Sequence, residues 1–136
     1  MIFMRSLIKE KAKLMYHELP YRKEPFKIPN YDKEDKLILA RRIFILICQK
    51  MEISERQALG EGQTAKLAKL RAIYSYIGRK YGLSSPTLAL IMNRDHATVL
   101  HHAKKYNDYL DQKKPWYDKN LALEVKRIET YLEKRL

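Results

Sequence analysis

The 136-residue chain carries 28 Lys and Arg against 16 Asp and Glu, a formal charge of +12, with 46% hydrophobic residues. That length suits one domain with appended arms, and the hydrophobic content excludes wholesale disorder. The single cysteine, Cys48, excludes an internal disulfide and a multi-cysteine zinc site. The charge points to a polyanionic partner, nucleic acid before membrane. No apolar run approaches the ~18–20 residues of a membrane span, and the N-terminus lacks the order of a signal peptide. A cytoplasmic protein with no membrane partner is therefore expected. Glycine and proline are few and strand-like alternation is scarce, so the expected class is all-α.

Residues 1–19 are predicted to be a helix with Ile2, Met4, Leu7, Ile8, Leu14 and Met15 as its apolar surface, ended by Pro20. Residues 20–31 hold three prolines among aromatic and basic side chains and read as an extended arm. Asp32 is placed to cap a helix reaching about Met51. Apart from Arg41 and Arg42, every position from 37 to 48 is apolar, more than a surface helix needs. This stretch should be the central helix of a bundle, or in part the surface of a homodimer. The terminal arms offer a second dimer surface. Cys48 lies at its end as a buried, inert thiol.

Ser54 with Gln57 forms a capping-box pattern that opens a short helix to Leu59, and Gly60-Glu61-Gly62 is a loop. Thr64 caps the next helix, over 65–81, whose stripe is Leu67, Leu70, Tyr74, Ile77 and Tyr81. Gly82 terminates it. Lys66, Lys69, Arg71 and Arg79 ride on the same helix. Ser84-Ser85-Pro86 is a helix-start signal for a short helix to Met92. After a break at 112–117, Asp118 caps a last helix to about Leu136, with Leu121, Leu123, Val125, Ile128 and Leu132 apolar. Trp116 and Tyr117 are expected to pin it to the body. Residues 36–92 hold ten basic against three acidic residues, the largest local excess.

The chain is organised around residues 93–106, NRDHATVLHHAKKY. Asp95 can accept a backbone N–H and start a helix over 95–110. Val99, Ala103, Tyr106 and Leu110 then form one apolar stripe. His96, Thr98, His101, Lys104 and Lys105 occupy the other face. A short helix, a tight turn and a helix with a polar N-terminal face make a helix-turn-helix pattern.

Arg94-Asp95-His96 followed by Thr98-Val99-Leu100-His101 resembles the signature of the C-terminal DNA-binding domain of the bacterial replication initiator DnaA, whose pattern is close to GGRDHTTVLHA. The resemblance runs upstream to roughly Lys36, about half the chain. It implies a DnaA C-terminal, Trp-repressor-like helix-turn-helix within an all-α bundle, carrying added N-terminal and C-terminal helices. The domains would be 1–31 (helix and arm), 32–111 (helix-turn-helix) and 112–136 (a helix packed on it). It also implies sequence-specific binding of double-stranded DNA, in control of replication initiation or of transcription. Arg94, Asp95 and His96 would read base edges in the major groove, and Arg71 would reach the adjacent minor groove. Ser84 and Ser85 would hold a phosphate. Thr98 would touch phosphate or base, His101 would be structural or face phosphate, and Lys104 and Lys105 would grip the backbone. The sequence departs from the pattern at Ala97, where a hydroxyl residue is usual, and at Asn93, which replaces Gly-Gly. One residue is missing before Gly82, and the basic loop is the milder GEGQTAKLAK.

Other chemistry finds little support in the residues. His96, His101 and His102 lie at i, i+5 and i+6, not the i, i+4 spacing of a helical metal pair. Asp95, Asp108 and Asp111 do not cluster as a nuclease requires. No GxxxxGK[ST] loop occurs in these residues, so neither a nucleotide cofactor nor the initiator's ATPase module is expected. No enzymatic activity and no metal are expected. The alternative is a protein-interaction module in which DNA binding is weak or lost.

Overall fold

Helix-forming composition and well-spaced caps give six helices among the residues that the computed structural model describes, 29–136, with side chains from residue 34. They are α1 (Pro29–Met51), α2 (Glu55–Leu59), α3 (Ala65–Lys80), α4 (Ser85–Met92), α5 (His96–Tyr109) and α6 (Lys119–Glu133). The described residues contain no strand, so the all-α expectation is met. The helix expected over 1–19 and most of the proline-rich arm lie outside the described residues. The arm's last residues do not: α1 already begins at Pro29, ahead of the expected cap Asp32. Proline is well suited to a first helical turn, because its fixed φ is helical and no N–H is lost there.

The other starts follow the sequence. Ser54, Thr64, Ser84 and Asp118 each take an extended backbone and accept an N–H from three residues on. Each satisfies one of the orphan donors at a helix start, worth about 1 kcal/mol. Gly82 adopts φ +84 beyond α3, the left-handed geometry that closes a helix most cheaply with glycine.

Residues 40–136 form one compact unit. Its most enclosed stretch lies on α3. Every residue from Leu70 to Ser75 on α3 is buried, as are Ile77 and Gly78. The expected stripe Leu67, Leu70, Tyr74 and Ile77 is buried, while Tyr81 is exposed. On α1, Ala40, Ile43, Phe44, Leu46, Ile47 and Cys48 are buried within the chain, so most of that apolar surface is consumed internally. Phe44 meets the edge of Tyr74 at 5.2 Å between ring centroids. The Tyr74 hydroxyl donates to the Leu88 carbonyl at 2.8 Å, which satisfies a polar group that would be costly to bury alone.

Two further features fix neighbours of α3. Gly78 lets α4 approach closely, since a Cβ there would meet Leu88 Cδ1 at 2.9 Å. On the opposite flank, α6 buries Leu121, Val125, Ile128 and Leu132 and forms ion pairs to α3, Lys69–Glu124 and Lys80–Glu129, both at 2.9 Å. Trp116 does not pin this helix: it is 54% exposed. The tie is instead the Asp118 N–H donating to the Tyr109 carbonyl at 2.8 Å.

Gly78→Ala should lower thermal stability by about 1–3 kcal/mol, because overpacking against Leu88 outweighs alanine's better helix propensity. A calorimetric scan checks this; an unchanged Tm would mean that α4 shifts freely. Burial, with a smaller push from Glu55, raises the Cys48 thiol from 9.0 to about 12. Native protein is therefore expected to react with a maleimide only on unfolding, since the thiolate is the nucleophile. A time course with and without denaturant tests it.

Candidate nucleic-acid interface

The α4–turn–α5 segment is built from local rules. The Ser84 hydroxyl accepts the Thr87 N–H at 3.3 Å and pairs with the Thr87 hydroxyl at 2.8 Å. Pro86 sits in the first turn of α4. The helix stops at Asn93, which adopts φ 57, ψ 47. Asparagine visits this left-handed region more readily than most residues. The N–H groups of Asn93 and Arg94 both close onto the Ala89 carbonyl. Asp95 then returns to an extended conformation, and its carboxylate accepts the Ala97 N–H at 3.0 Å. The single Asn93 therefore turns the chain where the related pattern carries two glycines.

Helix α5 buries Val99 and Ala103. Asp95, His96, Ala97, Leu100, His101, Lys104 and Lys105 are exposed. The expected two-faced helix is present, with Thr98 half-buried at the edge between the faces. His96 Nδ1 lies 3.8 Å from the Asp95 carboxylate, and both side chains are about two-thirds exposed. Beside α5, a groove is lined by Tyr76, Arg79 and Lys80 of α3 and by Leu100, Lys104 and Asn107 of α5. Lys80 is already paired with Glu129; Arg79 and Lys104 bring positive charge to the groove. Arg79 was visible as a basic helix residue, but only packing sets it beside Lys104.

Other expected site residues sit differently. Arg71 is 6% exposed. Its guanidinium donates to the carbonyls of Ala58 at 3.1 Å, Gly62 at 2.7 Å, Gly60 at 2.9 Å and Gln57 at 3.5 Å. In this structure it is turned inward rather than toward a groove. The reason is local: α2 is five residues long and leaves its last carbonyls few backbone donors, the Gly60 N–H to the Gln57 carbonyl being one. Arg94, half-buried, joins the same cluster. It donates to Leu59 at 3.4 Å and to its neighbour Asn93 at 3.0 Å, and also to Gly60. Two guanidiniums thus close the end of α2 and the following loop. Burial first, and then Arg94, lowers the Arg71 value. Ser85 is likewise buried, so its hydroxyl is not on the surface where a phosphate would lie, and the Ser84 hydroxyl is engaged in capping.

Nothing in the sequence pattern singled out His102. It is half-buried beneath the exposed face of α5. Burial first, then His101, Lys105 and Arg71, push its imidazole below the ordinary 6.5. Among the described residues no group of three or more His, Cys, Asp or Glu is placed to hold a metal ion. No described helix is long and apolar enough to cross a membrane.

The sequence profile of the bacterial dnaA protein helix-turn-helix family matches residues 32–105, more than half the chain. The chain belongs to this family. A curated relative, the chromosomal replication initiator protein DnaA of Bacteroides thetaiotaomicron, is 27% identical over 104 residues. That match covers 75% of this chain but about a fifth, 21%, of the relative. The α4–turn–α5 unit described above lies within the residues matched by this helix-turn-helix family. Helix α6 lies beyond the matched residues.

The unfolded chain protonates His102 more readily than the fold does, so lowering pH favours unfolding. The stability contributed by the neutral imidazole is complete above about 6.5 and declines as pH falls below it. His102→Gln is expected to flatten the loss of Tm between about pH 7 and pH 5. Parallel melts of the two proteins test this; identical pH profiles would discount the burial of this ring.

Proposed function

We propose that the chain binds double-stranded DNA sequence-specifically, with the N-terminal half of α5 in the major groove, at sites governing replication initiation. The observation that carries this is the orientation of α5. The turn at Asn93 delivers a helix whose packed side is Val99 and Ala103 and whose outer side presents His96, His101, Lys104 and Lys105. Such a helix fits the major groove and offers donors to base edges, while its lysines meet phosphates.

The roles divide by position. His96 is the exposed donor at the tip and reads a base or a flanking phosphate. Asp95 caps α5 with one carboxylate oxygen and offers the other to a cytosine amino group. Arg94 keeps donor capacity beyond its bonds to the α2–α3 loop, since a guanidinium carries five N–H groups. It therefore meets DNA without releasing that loop. The exposed Ala97 and Leu100 suit thymine methyl groups. Because Ala97 lacks a hydroxyl donor, the preferred site differs from one read by a threonine there. Lys104, Lys105, Thr98 and Arg79 hold the backbone. Arg71 acts through the loop it clamps. Replication control is favoured over transcription by the named activity of the curated relative.

Selection from a random duplex pool at stated salt is expected to recover one defined site. His96→Ala should cost about 1–3 kcal/mol at that site and relax its sequence preference. Lys104→Ala should weaken all duplexes alike and lower the salt slope by about 1. A module that only pairs with proteins, including a homodimer held by its arms, would show neither effect.

A further inference from the structure

Away from α5, two adjoining hollows are formed by the end of α1, the start of α3 and the length of α6. They share Lys50 and Arg127. The first adds Lys66 and Lys69 of α3, with Glu124 as its only acidic lining residue. That carboxylate is taken by Lys69 at 2.9 Å. The second adds Lys126, Lys134 and Arg135 and has no carboxylate in its lining. No residue of α4 or α5 lines either hollow.

Charged residues of α6 reach both neighbouring helices. Its acidic residues lie toward α3: Glu124 pairs with Lys69 and Glu129 with Lys80. Its basic residues line the hollows, Arg127 both of them and Lys126 the second, together with Lys134 and Arg135 just past the helix end. Beside them, Arg135 and Lys50 of α1 meet on one ring, Arg135 stacked 3.7 Å from the Tyr131 centroid and Lys50 at 5.5 Å. The Tyr131 hydroxyl meets Gln49 at 3.4 Å, and Arg42 donates to the Arg135 carbonyl at 2.6 Å, so the end of α6 is tied down on α1. Complementing the helix dipole accounts for Lys134 and Arg135 at the C-terminal end. It also accounts for Lys50 in the last turn of α1, but not for Lys126 and Arg127 in the middle of α6 or for Lys66 near the start of α3.

We propose that this α1–α3–α6 face is a second binding site for the phosphate backbone of duplex DNA, allowing one chain to hold two duplex segments. A concentrated, fixed array of cations with its neighbouring carboxylates neutralised is what backbone binding requires, and it needs no base contact. Duplex DNA is the fitting occupant because its phosphates form a continuous rigid row that matches an elongated face running along α6. Binding through α5 would also bring DNA close to the chain. The surface is separate from the α5 interface, so its occupancy is measurable even if the specific site there is misassigned.

The test is stoichiometry. The full chain is titrated with a short duplex in low salt and examined by analytical ultracentrifugation, and a parallel set of measurements uses His96→Ala. Wild-type chain should saturate with two duplexes per chain, the second in a salt-dependent step. Lys126→Ala combined with Arg127→Ala changes exposed helical positions where alanine keeps the helix. It should weaken the second step about tenfold and flatten its log–log salt slope by roughly 1.8, leaving the first unchanged. His96→Ala should weaken the first step and spare the second. Saturation of wild type at one duplex, or a second step indifferent to the double substitution, would overturn the proposal. So would binding of this face to phosphatidylglycerol vesicles with no second duplex step. A first step indifferent to His96→Ala would instead count against the role given to α5.

Discussion

The enclosure of α3 governs the rest of the structure. A helix buried from Leu70 to Ser75 has no free side, so every neighbour must fit its contours and satisfy its polar groups. Gly78 supplies the contour that α4 needs, and the Tyr74 hydroxyl supplies the bond to the Leu88 carbonyl. Because α4 is fixed in this way, the turn at Asn93 starts from a rigid point. The direction of α5, and hence which of its residues reach outward, follows from that chain of constraints. Fixing a recognition helix before it meets a ligand lowers the ordering cost of binding.

The two arginines illustrate how a charged residue in a promising sequence position can serve structure first. A short helix such as α2 ends in carbonyls with few backbone donors to accept from, and burying them unpaired is costly. Arg71 comes from α3 and Arg94 from the turn before α5, and they meet at the Gly60 carbonyl. Their forked donors suit several acceptors at once. The α2–α3 loop and the start of α5 are thereby coupled through one pair of guanidiniums, so a change in either would be felt by the other.

Charge is distributed over the unit in a way that the total of +12 does not convey. The ion pairs Lys69–Glu124 and Lys80–Glu129 join α3 to α6 and remove carboxylates from the surroundings of the remaining lysines and arginines. As exposed or partly exposed pairs they add little stability. The helix beyond the family match thus adds a buried apolar stripe to the helix-turn-helix frame.

Local physics was legible in the residues. Caps at Ser54, Thr64, Ser84, Asp95 and Asp118 fixed where helices begin, because each is settled by one side chain and the N–H two or three residues on. The two faces of α5 were legible for the same reason, since periodicity along a single helix needs no partner to be read. The tertiary structure alone decided that α3 would hold the most enclosed stretch, that Trp116 would lie outside, and that Arg71 and Ser85 would turn inward. It also decided that Lys50, Lys66 and Arg127 would share a surface. Each of these depends on which residues, distant in sequence, come to occupy the same space. A guanidinium on a helix looks the same in sequence whether its neighbour is water, phosphate or the open end of another helix, and only packing determines which of them it meets.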